Sequence, residues 1–91
     1  MTVTVRIPSQ LRNLSAGAGE VTLEGGTVAE ALKALDAAHP GFADRLFDER
    51  GQLRRSINLF VADEDVRFLD GIDTALREGQ TLSIVPAVAG G

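Results

Sequence analysis

Only one stretch of this chain carries the apolar spacing of a long helix, and alternating segments stand on both sides of it. Thr27 followed by Glu30 has the spacing of a capping box. Behind it Val28, Ala31, Leu32 and Leu35 fall on one helical face, while Glu30, Lys33 and Asp36 point away. Pro40-Gly41 closes the pattern, and His39 just before it reads as a favourable charge near the helix C-terminus rather than a ligand or base. A single amphipathic helix among strands needs a sheet face to cover its apolar stripe. The fold class expected is therefore α+β, with one main helix packed across one face of a sheet.

The strands are read from alternation. Val3, Val5 and Ile7 alternate with Thr2, Thr4 and Arg6 until Pro8, and Val21 and Leu23 alternate with Glu20, Thr22 and Glu24. The polar, glycine-bearing segment between them makes this pair a hairpin with a long loop, anchored by Leu11 and Leu14. Phe42, Leu46 and Phe47 suggest a short second helical turn before Gly51. Residues 56–62 are almost continuously apolar and are assigned a central strand. Asp63-Glu64 is expected to turn it, Val66 to Leu69 to form a short strand, residues 70–79 to hold a brief turn or helix, and Thr81 to Val85 to form the last strand. The first and last strands are candidates for central neighbours, but the pattern leaves strand order open.

Length and charge narrow the function. Ninety-one residues make one domain, and nine basic residues against thirteen acidic ones give a net charge of -4, which disfavours a phosphate backbone as partner. With no Trp or Tyr, unpaired bases would have only phenylalanines to stack on. Neither a leader sequence nor a membrane-spanning run is read from the pattern, so a cytoplasmic protein without nucleic-acid or membrane partners is expected. The absence of cysteine removes disulfides, thiolate metal sites and any cysteine nucleophile or persulfide.

An enzyme is not expected. There is no Ser-His-Asp set and no His/Cys metal spacing; Gly17-Ala18-Gly19 reads as hairpin loop, and Asp63, Glu64 and Asp65 as a solvated turn. The remaining candidate for chemistry is the ending Gly90-Gly91, which follows an apolar segment and Pro86. Without Cβ atoms such a terminus can thread a channel that side chains would block and present a carboxylate to a partner's active site. The competing reading is a frayed tail. The expected organisation is a folded domain over 1–86 and a flexible tail over 87–91. Gly91 carries the reacting group and Gly90, Ala89 and Val88 thread. The segment from Val88 to Gly91 is expected to be mobile in the free protein.

The ending Pro86-Ala87-Val88-Ala89-Gly90-Gly91, the segment from Asn58 to Arg67 (Asn-Leu-Phe-Val-Ala-Asp-Glu-Asp-Val-Arg) and the order of elements together resemble the ubiquitin-like sulfur carriers of the MoaD/ThiS group. Within it the chain looks most like the actinobacterial carriers of the thiocarboxylate route to cysteine. The resemblance implies a ubiquitin-like β-grasp with a mixed sheet. It also implies a protein co-substrate: an E1-like, ATP-dependent enzyme adenylates Gly91, sulfide displaces AMP, and the resulting thiocarboxylate serves a sulfur-accepting synthase, first choice of the cysteine type. A metallopeptidase would release the product. On this reading the chain binds no metal or cofactor, and ATP with magnesium and any pyridoxal phosphate belong to the partners. Molybdopterin, thiamin, thiolated tRNA and thio-sugar products remain alternative destinations. A ubiquitin-like modifier joined through Gly91, with Lys33 as the sole lysine for self-linkage, is a second class, and a structural subunit with a buried tail is a third.

Strand alternation also suggests a docking face. If Ile57, Leu59 and Val61 face the helix, Asn58 and Phe60 lie on the other side, joined by Thr4, Arg6, Ser83 and Val85 where their strands keep the same sense. Phe60, Asn58, Arg6 and Val85 are the partner-docking candidates. The alternative is a second buried layer over that face.

Overall fold

The computed structural model describes residues 2–86. Strand β1 (Thr2–Arg6) pairs antiparallel with β2 (Glu20–Glu24), Val3 opposite Leu23 and Val5 opposite Val21, which puts the apolar members of both strands on one face. The long connection between them is tied down by buried Leu11 and by buried Ser15, whose Oγ lies 2.7 Å from the Ala18 carbonyl oxygen.

Helix α1 spans Val28–Ala38 and buries the four expected residues, Val28, Ala31, Leu32 and Leu35. Its cap is reciprocal: the Glu30 N–H donates to Thr27 Oγ1 at 3.2 Å, and Glu30 Oε1 accepts from the Gly26 N–H at 2.8 Å. The approach of β2 to this helix needs a glycine, because a Cβ on Gly25 would stand 2.8 Å from the Ala31 nitrogen. Asp36, assigned to the solvent side, is half-buried and does more: its Oδ1 accepts from the N–H groups of Gly41 and Ala43, at 3.2 and 2.9 Å, and so caps the short helix α2 (Phe42–Leu46).

Strand β3 covers Ile57–Val61, β4 only Glu64–Asp65, and β5 Thr81–Pro86. The sheet order is β2-β1-β5-β3-β4, with β1 and β5 parallel and the other pairs antiparallel. This is the mixed sheet under one main helix that the β-grasp resemblance implies. The first and last strands are indeed neighbours.

Two assignments change. The central strand is β5, not β3, whose burial alternates along its length instead of being continuous. Asn58 and Phe60 are the half-buried members, so the apolar run covers a face that the helix does not. The turn after β3 falls on Ala62-Asp63, both with positive φ (51° and 70°), the conformation that matches a two-residue hairpin to the twist of its strands. The short strand therefore comes at Glu64–Asp65, and residues 66–68 form a 3₁₀ turn, not a strand. Asp65 Oδ1 accepts from the Arg67 N–H at 2.8 Å, and this side-chain cap turns the backbone out of the ladder.

Leu59, Leu82, Ile84, Val3, Val5, Val28, Leu32, Leu35, Phe42 and Leu46 pack into one core between α1, α2 and the inner sheet face. The other face carries no helix or strand layer among the described residues.

Candidate functional site

The expected site residues Val88, Ala89, Gly90 and Gly91 lie outside the described residues, as does the expected mobility of that segment. The structure does fix the point from which it continues. Pro86 pairs with Ile57 at the end of β5, the central strand, so the last residues leave from the middle of one sheet edge.

The four docking candidates share the open face. Registers place Glu20, Arg6, Ser83, Phe60 and Asp65 side by side in a row crossing all five strands, with Val85 opposite Asn58 in the next row toward Pro86. Val85 is 41% exposed and Arg6 is exposed, while Asn58 and Phe60 are half-buried. Phe60 is covered neither by the helix nor by a second layer of described elements. Its exposed part is flanked by the polar side chains of Ser83 and Asp65, which makes it an apolar spot inside a polar rim.

Asn58 is held in place. Arg67 Nη1 donates to Asn58 Oδ1, and Arg67 Nη2 donates to the carbonyl oxygens of Ile57 at 2.8 Å and Arg54 at 3.3 Å. Sequence reasoning assigned Arg67 no role. The Asp65-x-Arg67 spacing was the available signal, since an aspartate commonly bonds the backbone two residues on. Arg12 was missed as well. Its Nε donates to the Ile7 carbonyl oxygen at 3.0 Å, and with Arg6, Pro8, Glu20, Ser83 and Val85 it lines a shallow concavity beside the end of β5. Phe68, 86% exposed directly after Arg67, has no counterpart in the sequence reading.

Among the described residues no three His, Cys, Asp or Glu side chains are grouped to hold a metal ion, and no helix is long and apolar enough to cross a membrane. His39 stands at the C-cap of α1, where its N–H donates to the Leu35 carbonyl oxygen at 2.8 Å, which is a structural position.

Comparison with known proteins agrees with this geometry. Residues 5–91 match the ThiS family. The chain is 43% identical over 93 residues to the sulfur carrier protein CysO of Mycobacterium tuberculosis, covering all of both chains. It is 38% identical over 65 residues to small archaeal modifier protein 3 of Haloferax volcanii, covering 71% of this chain and 70% of that one. In structure it superposes on a chain of the Amycolatopsis orientalis BexX/CysO complex with a TM-score of 0.91 and 45% identity, covering 98% of this chain and 99% of that one. The match runs through the sheet, the helix and the sequence beyond Pro86 alike, and the chain belongs to the ThiS family, with its ubiquitin-like β-grasp.

Proposed function

We propose that this chain is a sulfur carrier that works as a co-substrate of partner enzymes, with the Gly91 carboxylate as the group that is activated and loaded. The observation that carries the reading is full-length similarity to CysO of Mycobacterium tuberculosis, at 43% identity. A terminal carboxyl has a pKa of about 3.3 to 3.7 and is ionised at neutral pH, so it can attack the α-phosphorus of ATP on an E1-like enzyme, with pyrophosphate leaving. Sulfide then attacks the acyl carbon of the mixed anhydride, AMP leaves, and a thiocarboxylate remains. Since the chain has no cysteine, no side-chain thiol competes for that sulfur.

The first choice of acceptor is a synthase that condenses the thiocarboxylate with an activated serine. An acyl shift from sulfur to nitrogen would leave cysteine amide-linked to Gly91 for a metallopeptidase to release. A complex of BexX with CysO in Amycolatopsis orientalis supports a stable protein partner for such a carrier. Phe60, Asn58, Arg6 and Val85 are the surface proposed for docking, with Val88, Ala89 and Gly90 entering the partner's channel. Deleting Gly91 tests the reading: thiocarboxylate formation by the purified activating system is expected to vanish while the melting temperature stays unchanged. Sulfur transfer by the deleted chain would exclude it.

A second reading, conjugation to target lysines through Gly91, is favoured by the similarity to small archaeal modifier protein 3. The two readings separate by mass, since conjugation yields products heavier by a whole protein chain.

A further inference from the structure

The last hydrogen-bonded contact of β5 follows from its registers. The Thr4 N–H donates to the Gln80 carbonyl oxygen at 2.9 Å, so the backbone groups of Leu82 and Ile84 turn toward β1 and those of Ser83 and Val85 toward β3. Val85 therefore exchanges its ladder bonds with Asn58. Pro86, opposite Ile57, has no N–H to give. The pair of Asn58 and Val85 is thus the final hydrogen-bonded pair of the described ladder before the chain continues into residues 87–91.

On its other side β3 has no strand beside it at this point. Strand β4 pairs only with Phe60 and Val61, so by the same alternation the Ile57 carbonyl points to an edge that the ladder leaves open. One guanidinium stands where a neighbouring strand would. Arg67 Nη2 donates to that carbonyl oxygen at 2.8 Å and to the Arg54 carbonyl oxygen at 3.3 Å, while Nη1 donates to Asn58 Oδ1. The Arg54 carbonyl also accepts from the Ile57 N–H at 3.0 Å, so the same guanidinium closes the turn that leads into β3. The Arg67 backbone is itself held, its N–H bonded to Asp65 Oδ1 at 2.8 Å. An exposed arginine ordered by three neutral acceptors fixes the geometry of this corner of the sheet.

We propose that Arg67 is a positioning residue of the carrier: through Ile57 and Asn58 it fixes the base, Val85-Pro86, from which the terminal segment is presented to the activating enzyme. The proposal rests on the carrier reading and deepens it, because it names the side chain that sets how that segment is aimed. A guanidinium suits this task and an ammonium does not. Its planar fork meets acceptors in fixed directions from two nitrogens at once, whereas a lysine offers one nitrogen on a flexible stem. A segment that starts from a fixed strand end loses less orientational freedom on entering a partner.

The test compares the full chain with Arg67→Lys, Arg67→Ala and Thr27→Ala, the last a destabilising control in the α1 cap. Two quantities are measured under conditions where all four proteins are folded: native-state amide hydrogen exchange, and kcat/KM for adenylation by the purified activating enzyme. Exchange at the Val85 and Asn58 amides is expected to speed up about tenfold in both Arg67 variants, and kcat/KM to fall about five- to tenfold, while Thr27→Ala leaves both as in the unaltered chain. Arg67→Lys is the deciding variant, because it keeps the charge and loses the fork. Undiminished adenylation of Arg67→Lys, unchanged exchange at Val85, or the same acceleration in Thr27→Ala overturns the proposal. If the unaltered chain is never adenylated, the carrier reading fails, and exchange at Val85, which involves no Gly91 chemistry, still decides whether Arg67 holds the strand end.

Discussion

Phe60 is the residue whose environment differs most from what its type suggests. A phenylalanine in a mid-sheet strand is ordinarily core, yet registers place it on the face opposite α1, beside Ser83 and Asp65. Truncating it to alanine removes only a half-buried ring, so Phe60→Ala is expected to cost about 1 kcal/mol in chemical denaturation, well below the roughly 3 to 5 kcal/mol of a fully buried phenylalanine, while weakening binding to the activating enzyme by tenfold or more. A large stability loss with unchanged affinity would assign it to the core instead. Arg67→Ala removes the donors to Ile57 O, Arg54 O and Asn58 Oδ1 together, and a loss of about 1 to 2 kcal/mol is expected in the same measurement. Side chains that face a strand's two sides are legible from alternation. The partners of Arg67 were not, because they sit on a different strand and loop.

At the scale of elements, what was legible was local. The α1 cap, its apolar stripe and its end at Pro40-Gly41 are all encoded within about four turns of sequence, and the structure places them as expected. Thr27→Ala should lower stability by about 1 kcal/mol, read from the urea midpoint at constant slope. Gly25→Ala is the sharper probe of how closely β2 approaches α1: a Cβ 2.8 Å from the Ala31 nitrogen forces one of them to shift, at a cost of about 1 to 3 kcal/mol. A neutral result would mean that the helix can slide away freely. The elements that were misread, β4 and the turn before it, depend on Ala62 and Asp63 adopting positive φ and on Asp65 capping the next turn, none of which a glycine or proline announces. The central pairing of β1 with β5 was a candidate that the pattern alone did not decide, for another reason. Pairing Thr4 with Thr81 is a contact between opposite ends of the chain, and strand periodicity carries no information about which strand lies beside which.

For the whole molecule, a rigid sheet with its central strand ending at Pro86 lets the residues beyond it extend from a fixed base. At about 3.3 to 3.6 Å per residue, five residues span at most roughly 17 Å, which on the proposed reading would bring Gly91 into a buried site while Phe60 stays at the partner's surface. The proposed function divides the labour: the domain would supply recognition, the terminus the reacting group, and the partners the ATP chemistry. The most direct measurement of that claim is the intact mass of the protein isolated from its own cells under conditions that preserve thioacids. The account predicts a species heavier by the difference between sulfur and oxygen, with fragmentation placing the change on Gly91. A protein found only as the unmodified carboxylate, or only as high-mass conjugates with other chains, would contradict it.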